Sequence, residues 1–478
     1  MAYILVIDEG TSHTRAILFN IQGEIERIAD EALTQYYPHP GWVEHCPEEI
    51  WKKTLMVIRR VCEGVDIADI VSCGITNQRE TTVLWDKQTG RCIGRAIVWQ
   101  DRRTQAMCDG IKDLEGEVYQ RTGLKVDPYF SASKLAWMIE HYQLRDFTHL
   151  AFGTIDSFLL WRLTEGLVHA TDITNASRTL LMNIHTQSWD EELLKLFSIP
   201  KEILPDILDC DAYFGDLSSS ILGRHIPIRG VIGDQQASLV GVGALVSGMA
   251  KVTYGTGGFL MSNTGQSAHL ADQGLLTTIA YRLQGQTHYA LEGNIYDAGS
   301  SLNWMKNQLN WITNFDDIEP LVRSVDCSDD VYFIPSFSGL GAPYWLTECG
   351  ASFVGISRST TKAHLVRAVL ESIAFQTRDI LNVMAFDGLQ SLSVDGGMVH
   401  NQWFVNYLAH LIQIDIDIPH TFENTAKGVA WIAGTACGHV GDITEWQQHH
   451  KLHCPKVDDR IQRSYLGWLD VLNKARKL

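Results

Sequence analysis

The chain carries one local plan twice: a β-rich run, a Gly-Thr turn and a second β-rich run. The first copy is YILVIDEGTSHTRAILFN at residues 3–20, and the second is KVTYGTGGFLMSNTG at residues 251–265. A repeat of this kind predicts two halves with the same architecture. A chain of 478 residues is also too long for one hydrophobic core. We therefore predict two domains, residues 1–243 and 244–478, divided in the Gly-rich stretch LVGVGALVSG.

Helical patterns alternate with the β-rich runs. The segment PEEIWKKTLMVIRRVCEG begins with Pro47, which suits the first position of a helix, and continues with two glutamates in the positively polarised first turn. Its apolar residues fall on one stripe at helical spacing: Ile50, Leu55, Ile58 and Val61. A second helix is predicted from Lys362 to Met384. Strands that alternate with helices indicate the α/β class.

The composition excludes several classes of protein. Hydrophobic residues make up 45% of the chain and charged residues 20%, as in ordinary globular enzymes. The net charge of −17 disfavours nucleic acid and anionic membranes as partners, because both need a basic face. The N-terminus MAYILVIDEGTS has no basic region, and no uncharged apolar window reaches about 18 residues, so we predict neither a signal peptide nor membrane insertion. The ten cysteines never form C-x-x-C, which favours reduced thiols and a cytoplasmic location.

Polar turns at strand ends carry the candidate chemistry. A strand that ends in Asp-x-Gly-Thr brings a carboxylate and several backbone N–H groups to one point, as a phosphate and its Mg²⁺ ion require. DEGTS at 8–12 is of this kind, and YGTGGF at 254–259 offers a similar Gly-Thr turn with its backbone N–H groups. The Gly pair in SVDGGMVHN at 393–401 would let a phosphate or an adenine ring approach the backbone. The alternative for each turn taken alone is a tight hairpin that needs glycine for positive φ.

Charged side chains follow two further apolar strands. Asp234 in GVIGDQQASLVG is either a cap for the helix that begins at Gln235 or a general base for a bound hydroxyl. Arg79 and Glu80 stand side by side in GITNQRETTVLW, at the end of a strand where both must lose water. The sequence alone leaves open why two opposite charges are adjacent there.

These segments, with others along nearly the whole chain, resemble the FGGY carbohydrate kinase family. The matching runs include GWVEHCPEEIW, GITNQRETT, AIVWQDRRT, DPYFSASKLAW, TNASRTLLMNIHT, GDQQASLVG, TYGTGGF, YALEG and VDGGMVHN. The resemblance implies the fold shared with actin and hexokinase, two RNase H-like α/β domains around a catalytic cleft. It also implies phosphoryl transfer from ATP, and the motifs are most similar to those of members that convert glycerol to sn-glycerol 3-phosphate. Such enzymes are often dimers or tetramers, so a homo-oligomer is implied as well.

The resemblance also implies roles by position. It implies a polyol pocket formed by Arg79, Glu80, Trp99, Tyr129, Asp234, Gln235 and Phe259, with Asp234 as general base. It implies a nucleotide site formed by Thr11, Ser12, Gly255, Thr256, Gly299, Asn303, Gly397 and Asn401. Asp8 would hold Mg²⁺. Arg79 and Glu80 would then be adjacent because one offers donors and the other acceptors to a vicinal diol; the alternative is a partly exposed ion pair.

The sequence departs from the family pattern at several places. Glu9 and Lys427 stand where glycerol-phosphorylating members usually carry Gln and Leu, Asn303 replaces a longer Gln, and segment 346–350 differs as well. Glu9 is expected to add negative charge beside the phosphate turn. Two other functions stay open: a kinase of the same family for another polyol or a ketose, such as erythritol or xylulose, and a catalytically silent ATP-binding sensor. The presence of both Asp8 and Asp234 argues against the sensor.

Overall fold

The computed structural model describes residues 2–271, 273–337, 339–346, 350–384, 388–421 and 423–475. We call residues up to 243 the N-terminal half. Its strands are β1 (Tyr3–Glu9), β2 (His13–Asn20), β3 (Ile25–Ala32), β4 (Glu44–His45), β5 (Ile70–Asn77), β6 (Val83–Asp86), β7 (Ala96–Ile97), β8 (Leu150–Gly153), β9 (Ala170–Asp172), β10 (Met182–Asn183), β11 (Ser188–Trp189), β12 (Asp206–Leu208), β13 (Asp216–Leu217) and β14 (Ile226–Gly233). Its helices are α1 (Pro47–Val61), α2 (Gln105–Gly110), α3 (Glu115–Thr122), α4 (Ser131–His141), α5 (Ile155–Leu163), α6 (Ile173–Ala176), α7 (Glu191–Leu196), α8 (Ser219–Leu222) and α9 (Asp234–Gly241).

Residues from 244 onward form the C-terminal half. Its strands are β15 (Met249–Tyr254), β16 (Gly258–Gly265), β17 (Leu276–Leu283), β18 (Gln286–Ile295), β19 (Tyr332–Ile334), β20 (Ser352–Val354), β21 (Ser391–Gly396), β22 (Asp415–Pro419) and β23 (His449–Leu452). Its helices are α10 (Gly299–Asn307), α11 (Ile318–Arg323), α12 (Lys362–Met384), α13 (Gln402–Ile412), α14 (Asn424–Ala436) and α15 (Asp459–Ala475).

Both halves are built on one plan. Within the described residues, the main sheet of the N-terminal half has the order β13-β14-β5-β1-β2-β3, and that of the C-terminal half has the order β17-β18-β16-β15-β21-β22-β23. β1 is antiparallel to β2 and parallel to β5, which is parallel to β14. β15 is likewise antiparallel to β16 and parallel to β21, which is parallel to β22. The two Gly-Thr turns join the equivalent hairpins, so the predicted α/β class with two related halves is confirmed.

The predicted helices form, with one shift in the buried stripe. α1 starts at Pro47 and buries Ile50, Ile58 and Val61 as expected, but Leu55 is only half-buried and Val57 is completely buried in its place. α12 has the bounds that the sequence predicts. In the described part of the chain, no helix combines the length and the apolar character that crossing a membrane would require.

The two halves pack closely behind the site. α9 of the N-terminal half lies against α14 of the C-terminal half, and their contact depends on two glycines. A Cβ atom on Gly241 would lie 1.9 Å from the carbonyl oxygen of Asn424, and one on Gly428 would lie 1.9 Å from that of Ala237. Real atoms cannot approach so closely, so alanine at either position would push the helices apart. This contact fixes the position of α9, whose first residue is Asp234.

Candidate active site

The candidate site lies at one edge of the N-terminal sheet. β1, β5 and β14 run in the same direction, so their carboxyl ends meet there. The turns that follow them carry Thr11 and Ser12, then Arg79 and Glu80, and then Asp234. The sheet therefore brings together three segments that are far apart in the chain.

Arg79 and Glu80 are adjacent in the chain but pair with different partners. Both are buried, at 3% and 1% exposure, and Glu80 has a φ of 62°, in the left-handed region. Arg79 donates from Nη1 to Glu292 Oε2 at 2.7 Å and from Nη2 to Glu292 Oε1 at 3.1 Å. Glu80 Oε1 accepts from Arg178 Nε at 2.7 Å. Each charge thus has a partner from another element, and the longer contact between Arg79 Nε and Glu80 Oε1, at 3.7 Å, is buried and not the partly exposed ion pair considered from the sequence.

Glu292 and Arg178 complete a buried network of two anions and two cations. Glu292 Oε1 also accepts from Arg178 Nη2 at 2.8 Å. Burial alone would raise the pKa of Glu292, but the two guanidinium groups lower it to about 2. Sequence reasoning gave neither residue a role, although both lie in the family-like runs TNASRTLLMNIHT and YALEG. The available signal was the one carboxylate of β18, which directly follows the apolar run 289–291.

Asp234 is the first residue of α9 and borders Arg79. Its Oδ1 lies 3.5 Å from Arg79 Nε and accepts a hydrogen bond from the Gln235 N–H at 2.6 Å. Gly233 occupies the N-cap position, so the capping role considered from the sequence is not the one observed. Burial raises the pKa of Asp234 to about 6. The positive charge of Arg79 lowers this pKa, whereas the negative charge of Glu80 raises it further. A partly exposed carboxylate with such a pKa is suited to accept a proton near neutral pH.

This pKa gives a testable pH dependence. If Asp234 is the base, kcat/KM for the phosphorylated alcohol should be constant above about pH 6 and should fall as the carboxylate becomes protonated below that value. Initial rates measured between about pH 5 and pH 8 check this. The residual activity of Asp234→Asn should lack this limb, and an identical limb in that variant would assign it to another group.

Aromatic side chains connect the polyol residues to the first turn. Trp99 and Tyr129 pack edge to face with ring centroids 5.6 Å apart. Trp99 Nε1 donates to Thr11 Oγ1 at 2.9 Å, and Tyr129 Oη lies 3.5 Å from Arg79 Nη2. Two members of the polyol pocket implied by the resemblance are therefore in contact with the first Gly-Thr turn and with the buried ion network.

The C-terminal half reaches the pocket through β15 and β16. Lys251 Nζ donates to Gln235 Oε1 at 2.7 Å and to Thr253 Oγ1 at 3.0 Å. Burial lowers the pKa of Lys251 to about 8, although the nearby carboxylates of Asp395 and Asp234 favour its charge. Phe259 is half-buried on β16, just after the second Gly-Thr turn and opposite Thr253.

The residues assigned to the nucleotide gather around the ends of β15 and β21. The Gly299 N–H donates to the Gly255 carbonyl at 3.1 Å, and the Ser300 N–H donates to the Thr256 carbonyl at 2.9 Å, so the start of α10 packs on the second turn. Gly397 follows β21, which runs parallel beside β15. The remaining two lie on helices that start nearby: Asn401 caps α13 by accepting from the Phe404 N–H at 2.9 Å, and Asn303 is exposed on α10.

Asp8 provides a carboxylate beside the first turn. It lines an open cavity of about 410 Å³ together with Gly10 and Ser12, and it forms an ion pair with Arg15, which in turn pairs with Glu423 at 2.8 Å. No group of three or more His, Cys, Asp or Glu side chains in the described ranges is arranged to hold a metal ion alone. Mg²⁺ in kinase sites usually takes one or two carboxylates plus substrate phosphates. The Asp8 carboxylate beside the first turn therefore fits a metal that arrives with the nucleotide.

The departures from the family pattern have structural consequences. Glu9 is completely buried, and among the described residues only one of its carboxylate oxygens has a hydrogen-bond partner, the Thr54 hydroxyl at 3.3 Å. Burial raises the pKa of Glu9 well above its usual value and so favours the neutral carboxyl group. This differs from the extra negative charge expected from the sequence. Lys427 is also buried, and its ammonium group donates to the carbonyl of Trp446. Most of segment 346–350, namely 347–349, lies outside the described residues.

Comparisons with known proteins agree with this geometry. The model of the FGGY family of carbohydrate kinases, N-terminal domain, matches residues 3–241, and that of the C-terminal domain matches residues 250–437. The chain is 44% identical to the glycerol kinase of Ectopseudomonas mendocina, with 99% of each chain covered, and 45% identical to that of Alcanivorax borkumensis, with 99% of this chain and 98% of the relative covered. The crystal structure of Plasmodium falciparum glycerol kinase with ADP superposes with a TM-score of 0.93 at 33% identity, covering 99% of this chain and 98% of that one.

Proposed function

The chain belongs to the FGGY family of carbohydrate kinases, and we propose that it transfers the γ-phosphoryl group of ATP to glycerol, giving sn-glycerol 3-phosphate. Its curated relatives are glycerol kinases over the whole chain length, and a structural neighbour contains ADP. The observation that carries the proposal is the arrangement around Arg79, whose Nε lies 3.5 Å from Asp234 and 3.7 Å from Glu80.

The groups around Arg79 Nε suit a polyol. The terminal nitrogens of this guanidinium already donate to Glu292 and Gln236, whereas Nε has only longer ionic contacts with the two carboxylates. A hydroxyl group there can accept from Nε–H and donate to a carboxylate, as each hydroxyl is both donor and acceptor. Trp99 and Phe259 would enclose the carbon chain, while Tyr129 and Gln235 would bind further hydroxyls.

The reaction needs one proton acceptor and one set of anion-binding groups. The primary hydroxyl of glycerol gives its proton to Asp234 while its oxygen bonds to the γ-phosphorus, and the bond between that phosphorus and the ADP oxygen breaks. Backbone N–H groups of the two Gly-Thr turns would stabilise charge on the transferred phosphoryl group. Thr11, Ser12, Gly255 and Thr256 lie on these turns. Contacts to the nucleoside would come from Gly299, Asn303, Gly397 and Asn401.

Mg²⁺ would be held by Asp8 and the phosphates of ATP, and when bound it would neutralise charge on the β- and γ-phosphate oxygens. The contact is expected to run through water, because Arg15 already occupies the Asp8 carboxylate. Asp8, held in place by Arg15, would thus orient the metal without a closed protein cage.

Asp8→Ala should weaken the dependence of the rate on Mg²⁺. We expect a higher Mg²⁺ concentration for half-maximal rate and a lower kcat, with little change in KM for glycerol, because this carboxylate faces the phosphate turn. Titration of Mg²⁺ against initial rate measures the effect. Asp113→Ala, at an exposed surface position, is the control. An unchanged magnesium curve in Asp8→Ala would remove Asp8 from the metal site.

A coupled assay for ADP release tests the proposed function as a whole. The panel includes glycerol, erythritol, xylulose, propane-1,2-diol and propane-1,3-diol, each at several concentrations with Mg²⁺ and ATP. We expect glycerol to have the highest kcat/KM. A higher value for erythritol or xylulose would reassign the substrate, and no ADP release with any alcohol would leave only nucleotide binding.

We propose a domain boundary near residue 243, between the stretches matched by the two family models. We also propose a homo-oligomer of two or four copies, which analytical ultracentrifugation would test. A cytoplasmic location is supported by the cysteines of the described residues, all of which are free thiols.

A further inference from the structure

We propose that Glu292 is a positioning residue for polyol recognition. Together with Arg178, it fixes the side-chain orientations of Arg79 and Glu80. The inference deepens the proposed function and rests on it. Neither residue belongs to the pocket that the family resemblance implies. Their role follows from how the buried charges are connected.

Glu292 is brought to the pocket by the C-terminal half. It lies on β18, directly opposite Met261 of β16 and Leu276 of β17. Its side chain is only 4% exposed, and both carboxylate oxygens are used, one by Arg79 and the other by Arg79 and Arg178. The polyol pocket of the N-terminal half is therefore held by a carboxylate from the other half.

The contact of Glu292 with Arg79 determines which nitrogen of the guanidinium is left to bind a hydroxyl. Glu292 binds both terminal nitrogens of the guanidinium, at 2.7 and 3.1 Å, and this two-point contact fixes the plane of the group. Nε is thereby directed to Asp234 and Glu80. Without the contact from Glu292, the Arg79 side chain could rotate and turn a terminal nitrogen toward Asp234. The bound hydroxyl would then be misplaced.

Arg178 extends the same control to Glu80. Its Nε donates to Glu80 Oε1 at 2.7 Å while its Nη2 donates to Glu292 at 2.8 Å, so one guanidinium holds two carboxylates. Arg178 is itself completely buried and lies over the rings of Tyr129 and Phe130, with distances of 5.8 and 5.2 Å to their centroids. One carboxylate thus positions both charged residues that face the polyol.

Glu292→Gln removes the charge while keeping the size of the side chain. We expect KM for glycerol to rise by about 10-fold or more, toward the ~100-fold loss that a misplacement of about 1 Å can cause, with little change in KM for ATP. The preference for glycerol over propane-1,2-diol should also fall. In an Arg79→Ala background, the same substitution should change this preference little further, because its effect passes through Arg79.

Glu371→Gln is the matched control. Glu371 is a buried carboxylate of α12 that accepts from Arg367 at 2.8 Å, as Glu292 accepts from Arg79, and it is outside the candidate site. It should reduce thermal stability without changing KM for glycerol or the preference between alcohols. An equal change of KM in both variants would mean that Glu292 acts only through stability.

A second variant keeps the test informative if Glu292→Gln does not fold. Glu292→Asp retains the negative charge but shortens the side chain, so it should fold and still raise KM for glycerol. Unchanged glycerol KM and alcohol preference in a folded variant would overturn the inference. A wild-type enzyme that does not phosphorylate glycerol would instead overturn the proposed function, which separates the two failures.

Discussion

Replacing Asp234 with asparagine is expected to lower kcat by about 10²- to 10⁴-fold, the usual contribution of general acid-base catalysis. The amide has nearly the same shape as the carboxylate, so the hydrogen bond from the Gln235 N–H can be kept, but the amide cannot accept the proton of the attacking hydroxyl. Binding of ATP, measured by calorimetry, should change little. Single-turnover rates with saturating glycerol and ATP measure the loss directly.

The control for this substitution is another aspartate at the start of a helix. Asp190 caps α7 by accepting from the backbone N–H groups of Glu192 and Leu193, and asparagine can accept the same bonds. Asp190→Asn should therefore keep wild-type kcat. If Asp234→Asn retains more than about a tenth of wild-type kcat, another group takes the proton and the assignment of the base is wrong.

Local patterns in the sequence predicted the elements that depend on local chemistry. The Gly-Thr turns between apolar strands, and the helix from Lys362 to Met384, each have their signal within a few residues. The equivalence of the two halves could be predicted for the same reason, because the turn at 8–12 and the turn at 254–259 are each recognisable alone. Family resemblance then supplied the arrangement of the halves, which no periodicity contains.

The charge partners in the site could not be predicted in this way. Glu292 lies 213 residues from Arg79 in the chain, and Arg178 lies 98 residues from Glu80. Contacts of this kind depend on which strands meet, so no local spacing indicates them. The stripe of α1 shows a smaller limit: helical spacing alone favoured Leu55 for the core, whereas the sheet packs on Val57. Tertiary packing decides between neighbouring apolar residues.

Arg79→Ala should remove most of the preference for glycerol over alcohols that lack one hydroxyl. A site built to hydrogen-bond a hydroxyl rejects an analogue without it by about 10⁴-fold or more, whereas an apolar pocket distinguishes a methylene by only about 10- to 200-fold. In the wild type, propane-1,2-diol and propane-1,3-diol should therefore be far poorer substrates than glycerol. Loss of the guanidinium removes the donor that such a hydroxyl needs, so kcat/KM for glycerol should fall much more than kcat/KM for the diols.

The structure also shows how to separate this effect from simple destabilisation. Arg79→Ala leaves Glu292 with one buried cation fewer, and Arg367→Ala would leave Glu371 without the cation that it pairs with on α12. Both variants should lose stability, because breaking a buried ion pair costs several kcal/mol, about 3 to 5 in comparable cases. Only Arg79→Ala should also change the ratio of kcat/KM between glycerol and the diols. Equal ratios in the wild type and in Arg79→Ala would mean that Arg79 serves only as a charge partner of Glu292, and that other residues bind the hydroxyls.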